Sequence, residues 1–295
     1  MYAQHRFGGH WTDTKLELVR KYLQAYTRIF DKNPKARKLH TIYLDAFAGT
    51  GYRTTQAQSN DSFLFDLGEG ENQTFLKGSA RIALEVEPPF KEYIFIERDA
   101  LYVRELENLR SEFLSRRPCI RVENQEANSF LREWVQRIDW RMTRAVVFLD
   151  PYGMQVDWQV IQALGKTKAI DIWLLLPVGM AINRLLTKAG PPPEKWAEAL
   201  TRIFGTEEWK SAFYSRKKQQ TLFGEEEVHS KDTNFDAIGK FFLSRLQTAF
   251  VAVAPHPFVL RNSRNNPLYW LCFASGNPKG APTAVKIAKD ILKRS

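Results

Sequence analysis

The sequence predicts an α/β fold with an open, doubly wound, mostly parallel sheet. The first observation is that short segments, apolar on both faces, alternate along the chain with helical patterns, which is typical of parallel strands covered by helices on both sides. The second is that this strand–helix unit recurs, so that crossover connections extend the sheet. The third is a pair of β-rich runs near the end of the chain, joined by turn residues, which predicts a terminal hairpin.

The chain is expected to begin with an amphipathic helix and then to alternate strands and helices. Between residues 14 and 30 the apolar side chains recur at spacings of three and four, after the capping signal Thr14-x-x-Glu17. Five buried strands follow, and we place them at Thr41–Leu44, Tyr93–Ile96, Cys119–Val122, Ala145–Leu149 and Ala169–Leu176. The segments between them have helical patterns, at Ala80–Val86, Leu101–Leu114, Ser129–Ile138 and Trp158–Leu164.

We predict a single domain with two insertions. Its parts are an N-terminal helix at 12–31, a sheet core at 40–178, a helical insertion at 179–248, and a C-terminal β-hairpin and helix at 249–295. Tyr52–Lys77 is too long for a simple connection and forms the other insertion. Ser215–Asp232 is polar and charged, so we interpret it as a mobile surface loop. The terminal elements are expected at Phe250–Leu260, Leu268–Ala274 and Thr283–Lys293.

Composition excludes several classes of protein. With 295 residues, of which 44% are hydrophobic, the chain can bury a large core, which excludes a disordered protein. Two cysteines cannot build a disulfide framework, and neither a long apolar span nor a signal-peptide pattern is present, so we expect a cytoplasmic protein with no membrane partner. The five histidines are scattered without metal-ligand spacing, so no metal site is expected.

The net charge of +10 is placed at the two ends of the chain. Residues 1–40 hold nine Lys and Arg against three Asp and Glu, and residues 261–295 hold seven against one, while the middle is close to neutral. Folding could bring the two ends together into a basic rim, which favours a nucleic-acid partner. The alternative is two solvated helix faces that bind nothing.

The first strand runs into the sequence Asp45-Ala46-Phe47-Ala48-Gly49-Thr50-Gly51. A glycine turn at a strand end lets the backbone approach a ligand closely. The third glycine of the dinucleotide fingerprint would fall at Thr54 and is absent, as is the Gly-Lys-Ser/Thr ending of a P-loop, so a nicotinamide-dependent oxidoreductase is disfavoured. Asp45 suits a ligand with a cationic amine better than a pyrophosphate.

Acidic residues also follow the second and third strands. Glu97 lies at the tip of the second strand, where a carboxylate can accept both hydroxyls of a ribose. The alternative is a solvated acid that begins a helix. Glu126, or a backbone amide beside it, could hold an adenine amino group at the end of the third strand. Ordinary helix capping by Asn128 explains part of this polar cluster equally well.

The fourth strand ends in Asp150-Pro151-Tyr152-Gly153. An exocyclic amine of a base could donate one hydrogen bond to the Asp150 carboxylate and one to the Pro151 carbonyl. Tyr152 would stack on the base, a contact worth about 1 to 3 kcal/mol. The alternative is a plain Asp-Pro turn that ends a strand.

Together, DAFAGTG, IERD and FLDPYG at successive strand ends resemble the motifs of class I S-adenosylmethionine-dependent methyltransferases, especially the amino-methyltransferases. The first motif of those enzymes, Asp-Pro-Phe-x-Gly-Ser-Gly, is matched at Asp45, Phe47, Gly49 and Gly51. The resemblance implies a seven-stranded sheet with an antiparallel seventh strand, and S-adenosylmethionine as cofactor. It also implies that the first loop holds the methionine part of the cofactor, Glu97 its ribose, and the region of Glu126 and Ala127 its adenine.

The fourth motif departs from this pattern. Amino-methyltransferases usually carry Asp/Asn-Pro-Pro-Phe/Tyr, whereas Asp150-Pro151-Tyr152-Gly153 is one residue shorter. It is closer to the Asp-Pro-Phe-Gly of tRNA guanine-N2 methyltransferases, which leaves the identity of the target amine open.

A second resemblance covers nearly the whole chain. GHWTDTKLELVRKYLQAY, FLDPYGMQVDWQVI and FASGNPKGAPTAVKIAKDIL resemble the three-Cys-motif partner proteins, the TcmP family. This implies a bacterial or phage-related cytosolic protein encoded beside a partner that carries a three-cysteine cluster of the radical S-adenosylmethionine type. Two hypotheses follow. One is a methyltransferase for an amine of nucleic acid, in which Asp150 and Pro151 orient the nitrogen, and the other is a non-catalytic adaptor that docks the three-Cys-motif partner on nucleic acid.

Overall fold

The computed structural model describes residues 10–49, 78–151, 153–188, 190–221 and 224–293. Its α-helices of five or more residues are α1 (His10–Lys32), α2 (Ser79–Leu84), α3 (Ala100–Glu112), α4 (Ala127–Arg137), α5 (Trp158–Lys166), α6 (Glu194–Phe204), α7 (Trp209–Phe213), α8 (Phe235–Ala249) and α9 (Ala281–Lys293). Its strands are β1 (His40–Asp45), β2 (Glu92–Glu97), β3 (Ile120–Asn124), β4 (Thr143–Leu149), β5 (Ile170–Leu176), β6 (Tyr214–Thr221), β7 (Gly224–Lys231), β8 (Ala252–Val253), β9 (Phe258–Arg261) and β10 (Pro267–Ser275).

The main sheet has the doubly wound order that the sequence predicts. Strands β3, β2, β1, β4 and β5 lie side by side and run parallel, and β10 is antiparallel to β5. In chain order, β2 and β3 lie on one side of β1, and β4 and β5 lie on the other. The strand order therefore reverses between β1 and β4, and ligands of open α/β sheets bind at such a switch point, at the carboxyl ends of the strands.

The last strand position of the sheet is divided in two. Both β8 and β9 pair antiparallel with β10, on the edge that β5 does not use. Trp270 and Leu271, for example, pair with β5 on one side and with β9 on the other. The sheet thus has seven strand positions and a C-terminal antiparallel hairpin, which confirms the predicted class I methyltransferase-like fold class.

A hydrophobic core covers each face of the sheet. Along β1, Ile42 and Leu44 face one core while Tyr43 faces the other, because successive side chains of a strand point to opposite faces. The first core is closed by α4, α5 and α8, and the second by α1, α2 and α9. Each large apolar side chain that is fully buried here contributes roughly 1.5 to 3 kcal/mol.

Helix α1 is the predicted amphipathic helix, but it begins earlier than its capping signal indicates. Leu16, Val19 and Leu23 are buried against the sheet, and the helix also contacts α2 and α9. The helix starts at His10, so Thr14 lies inside it and is not its N-cap. Threonine disfavours a helix interior only slightly, which is why the helix continues through it.

The interpretation of Ser215–Asp232 as a mobile loop is wrong. This segment forms most of a hairpin in which β6 and β7 pair over eight consecutive positions, with Lys218 opposite Glu227. The polar sequence has no alternation of apolar residues, so it carried no strand signal, whereas the hairpin is held by backbone hydrogen bonds. The insertion at 179–248 is therefore helical with an added two-stranded sheet. The other predicted insertion, Tyr52–Lys77, lies outside the described residues.

Candidate functional site

The structure brings two of the predicted acids together at the switch point. Asp45 is the last residue of β1, and Asp150 directly follows the last residue of β4. These strands are parallel neighbours whose register pairs Asp45 with Phe148, so both carboxyls lie at the same edge of the sheet. Both side chains are buried, with residue exposures of 0% and 6%. A pair of carboxyls removed from water in this way calls for a positive charge nearby.

Asp45 accepts hydrogen bonds from within the fold, and the Ser79 side chain provides one of them. Its carboxylate accepts long hydrogen bonds from the Phe47 amide, at 3.3 Å, and from the Tyr43 hydroxyl, at 3.5 Å. Burial raises the pKa of Asp45 to about 7, and the negative charge of Asp150 contributes in the same direction. A cationic ligand would stabilise the ionised form, as the sequence predicts for this residue.

Glu97 supports the loop that follows β1. Its carboxylate accepts hydrogen bonds from the backbone amides of Arg98, at 2.8 Å, and Asp99, at 2.9 Å, and it interacts with the Gly49 amide. Burial raises the pKa of Glu97 against the effect of these amides. The N-cap of α3 is Asp99, whose carboxylate accepts from Leu101, so Glu97 is not the acid that begins the helix. Its predicted ribose contact stays a prediction.

Glu126 is held by its own helix. It is the N-cap of α4, where its carboxylate accepts hydrogen bonds from the backbone amides of Asn128, at 2.9 Å, and Ser129, at 2.8 Å. Partial burial raises the pKa of Glu126, but these amides outweigh burial and lower it. Ala127, the first residue of the helix, is buried. The side chains of Asn128 and Ser129 also donate to this carboxylate, so its four lone-pair positions are in use and an adenine contact in this region would come from the backbone.

Capping by Asn128, the alternative weighed from the sequence, is wrong. Asn128 lies in the first turn of α4, where its side chain donates to the Gln155 carbonyl at 2.7 Å and accepts from the Asp157 amide at 2.9 Å. The cap belongs to Glu126 because that residue has the extended backbone of an N-cap. Asn128 instead ties α4 to the chain that follows the fourth motif.

The most important residue that the sequence analysis missed is Lys15 of α1. Its ammonium donates to both carboxylate oxygens of Asp150, at 3.1 and 3.2 Å, and the residue is only 1% exposed. Burial lowers the pKa of Lys15 to about 7, against the opposing effects of Asp150 and Asp45. One signal was present in the sequence, since Lys15 lies on the same helical stripe as Val19, Tyr22 and Tyr26, all of which are buried.

The chain after Asp150 is only partly described. Pro151 is buried and Gly153 has a φ of +71°, a conformation that glycine adopts at no steric cost. Gly51 and Tyr152 lie outside the described residues, so the glycine pair and the predicted stacking ring stay predictions. A π-helix, Val178–Ile182, follows β5 at the same edge of the sheet. Such turns occur frequently at functional sites.

A cavity of about 530 Å³ lies at the opposite, amino-terminal edge of the sheet, between α1 and α9. Tyr22 and Asp171 line it, and the Tyr22 hydroxyl donates to the Asp171 carboxylate at 2.7 Å. Burial raises the pKa of Asp171 to about 6. None of the predicted site residues lies there. Helix α1 thus contacts a buried carboxylate at each edge of the sheet.

The described part of the chain contains neither a metal-binding cluster nor a membrane-spanning helix. Its residues contain no group of three or more His, Cys, Asp or Glu that could hold a metal ion. None of its helices is long and apolar enough to cross a membrane.

Comparisons with known proteins give structural matches at low sequence identity. No protein-family model matches the chain, and no curated protein matches it. Among solved structures, a Legionella pneumophila protein of the DUF519 family has 12% identity and a TM-score of 0.45, over 98% of this chain and 93% of its own. An Escherichia coli protein, YhhF, has 16% identity and a TM-score of 0.27, over 65% of this chain and 76% of its own.

A spermidine synthase from Thermotoga maritima has 11% identity and a TM-score of 0.37, over 91% of this chain and 60% of its own. Because all three TM-scores are below 0.5, the assignment of the fold rests on the strand order and register given above. On that order, the chain has a class I methyltransferase-like fold.

Proposed function

We propose that the protein transfers a methyl group from S-adenosylmethionine to an amine of a nucleic-acid base. The observation that carries this proposal is the pair of buried carboxyls, Asp45 and Asp150, at the carboxyl ends of two neighbouring strands on either side of the switch point. One carboxyl can serve the cofactor and the other the acceptor, because open α/β sheets bind their ligands outside the carboxyl ends of the strands at such a switch point.

The residues at the end of β1 fit this cofactor. Asp45 is a buried carboxyl whose pKa stays raised in spite of its hydrogen bonds, so a cationic ligand would stabilise its ionised form. S-adenosylmethionine carries an ammonium and a sulfonium, and it supplies an electrophilic methyl group. Asp45, Phe47, Gly49 and Gly51 would hold its methionine part and Glu97 its ribose, while the backbone near Ala127 would serve its adenine.

Asp150 and Pro151 would orient the acceptor. A carboxylate and a carbonyl side by side can accept the two N–H groups of an exocyclic amine and so direct the nitrogen lone pair toward the methyl group. Catalysis of this kind is mainly positioning, which can supply several kcal/mol of the barrier without a strong base.

The basic ends of the chain support a nucleic-acid acceptor. Helices α1 and α9, each with a net charge of +2, pack against each other on one face of the sheet. Lys21 and Arg28 of α1 and Lys286 of α9 are exposed. A shared layer of positive charge can attract a polyanion, and its binding should weaken steeply with salt. A three-Cys-motif protein as partner and a cytosolic location belong to the same proposal.

The second candidate is a non-catalytic adaptor for that partner, and the ion pair between Lys15 and Asp150 favours it. In a decayed enzyme a lysine could neutralise the acceptor carboxylate permanently. The two candidates differ in what happens when a methyl donor and an acceptor are both supplied.

Methyl transfer tests the proposal directly. The protein is incubated with S-adenosylmethionine carrying a tritiated methyl group, together with bacterial RNA or sheared bacterial DNA, and the nucleosides are analysed by mass spectrometry. We expect label in a base amine and at least a hundredfold loss of transfer in Asp150→Ala. The control, Glu133→Gln, replaces an exposed acid of α4 on the other face of the sheet and should keep full activity. No transfer by the wild-type protein to either nucleic acid would contradict the proposal and favour the adaptor.

A further inference from the structure

The contact with Lys15 leaves unused hydrogen-bond acceptor positions on the Asp150 carboxylate. A carboxylate has about four lone-pair positions on its two oxygens. The Lys15 ammonium lies 3.1 Å from one oxygen and 3.2 Å from the other, so it uses one position on each. Each oxygen can therefore still accept an N–H from another group. Lys15 and an acceptor amine can bind Asp150 at the same time.

The buried ion pair has no evident value for folding alone. Ion pairs of this kind contribute no more stability than well-packed apolar residues, because both charges lose their hydration. Lys15 lies on the stripe of α1 that faces the core, where an apolar side chain would pack without this penalty. A lysine at this position is accounted for by what it does to Asp150.

The effect of Lys15 on Asp150 depends on the other titratable groups around this carboxylate. Asp45 and Tyr43 of β1 lie close enough to interact with it, and Glu97 of β2 interacts with Asp45. Burial raises the pKa of Asp150 above its ordinary value, and the Lys15 ammonium offsets part of that rise. Without Lys15, a buried cluster of carboxyls would bind protons, and a protonated Asp150 would present an O–H donor to an amine that needs an acceptor.

We propose that Lys15 is a positioning residue for the acceptor, and that its ammonium keeps Asp150 a charged hydrogen-bond acceptor aimed at the amine of the incoming base. This inference rests on the proposed function, since it assumes that Asp150 receives the acceptor. Lys15 acts through Asp150 and need not touch the acceptor itself.

The first measurement requires no catalysis. In protein labelled with ¹³C at the aspartate carboxyls, Asp150 is assigned as the signal lost in Asp150→Asn and then titrated by NMR. We expect the midpoint of Asp150 to rise by at least one pH unit in Lys15→Met and to stay near the wild-type value in Lys15→Arg. The control Lys21→Met removes an exposed lysine of the same helix and should change nothing. An unchanged midpoint in folded Lys15→Met would overturn the proposal.

The second measurement separates positioning from a structural role. AMP, GMP and CMP serve as probes with an exocyclic amine, and IMP and UMP as controls without one, each added in the presence of S-adenosylhomocysteine. At pH 6.5 we expect Lys15→Met to bind the best amine probe at least tenfold more weakly than wild type, and to recover most of that affinity at pH 8.5. A loss of equal size at both pH values would mean that Lys15 is only structural.

The two measurements distinguish an error in the proposed function from an error in the proposed role of Lys15. If no amine probe binds the wild-type protein, the acceptor class of the proposed function is wrong, and the carboxyl titration still decides whether Lys15 controls Asp150. If Lys15→Met does not fold, Lys15→Gln is used for both measurements, with the same expected direction.

Discussion

Helix α1 contacts a buried carboxylate at each edge of the sheet, and the two contacts differ in the charge of the side chain that α1 contributes. At the carboxyl edge, Lys15 offers an ammonium to Asp150, with Asp45 nearby. Seven residues later, about 10 Å along the helix, Tyr22 offers a neutral hydroxyl to Asp171. Asp171 also interacts with the Ser275 hydroxyl and, at longer range, with the charge of Arg144. Of the two buried carboxylates that α1 contacts, only Asp150, which lies near a second carboxyl, has a cation in direct hydrogen-bond contact. A charged partner beside paired carboxyls is the arrangement expected of a binding site.

The largest effect should be in the pH dependence of stability. Asp45 has a pKa of about 7 in the folded protein against 3.8 as its ordinary value. Asp45 therefore contributes on the order of 4 kcal/mol to the free energy of unfolding below about pH 4, and this contribution is lost as pH rises through 7. Lys15 acts in the opposite sense, because its folded pKa of about 7 lies below 10.5, so stability should rise again above pH 7.

Urea unfolding at successive pH values measures both slopes. Asp45→Asn should remove the larger part of the fall in the free energy of unfolding between pH 4 and 7. Asp171→Asn should remove a smaller fall that ends near pH 6, where the pKa of Asp171 lies. Equal slopes in Asp45→Asn and wild type would mean that the two edges of the sheet do not differ as described.

Removing the cation should be the next largest change. Lys15→Met at pH 6 leaves Asp150 buried without its partner, and we expect a loss of about 3 kcal/mol in the free energy of unfolding. Lys15→Met combined with Asp150→Asn should recover much of that loss. Urea denaturation is the measurement, with Lys21→Met as the control, for which less than about 0.5 kcal/mol is expected. A loss below 1 kcal/mol in Lys15→Met would contradict the buried ion pair.

Removing the neutral donor should cost less. Tyr22→Phe deletes one hydrogen bond to Asp171 and leaves the ring in the core, so a loss of about 1 to 2 kcal/mol is expected. It should also raise the pKa of Asp171, because the Tyr22 hydroxyl stabilises the ionised carboxylate. Thermal and urea unfolding test the first point and carboxyl NMR the second. A larger loss than that of Lys15→Met would reverse the ranking of the two contacts.

The smallest effect concerns Glu126. Glu126→Ala removes the N-cap of α4, which should lower stability by about 1 kcal/mol. We expect the affinity for S-adenosylmethionine to stay within twofold of wild type once the protein is folded. A tenfold loss of affinity, measured by calorimetry, would assign the side chain the adenine contact that the sequence suggested.

The sheet was predictable from the sequence because local patterns determine it. The run Ile42-Tyr43-Leu44 is apolar on both faces of the strand, which marks a central parallel strand. The reversal of strand order then places Asp45 beside the end of β4. Contacts between distant parts of the chain were not predictable. Lys15 and Asp150 are 135 residues apart, and only the packing of α1 across the sheet brings them together.

Two further features show what local patterns leave out. The polar strands β6 and β7 have no apolar alternation, so their pairing was invisible in the sequence. The N-cap of α4 depends on the backbone conformation of Glu126, which the run of polar residues around it did not reveal.

Binding of S-adenosylmethionine to the wild-type protein and to Asp45→Asn, followed by isothermal titration calorimetry, tests the central claim most directly. We expect micromolar binding by the wild type, with at least a tenfold loss in Asp45→Asn and little change in Asp171→Asn, which alters the other buried carboxyl next to α1. Absence of binding by the wild type, or equal affinity in all three proteins, would show that the crevice between β1 and β4 is not a cofactor site.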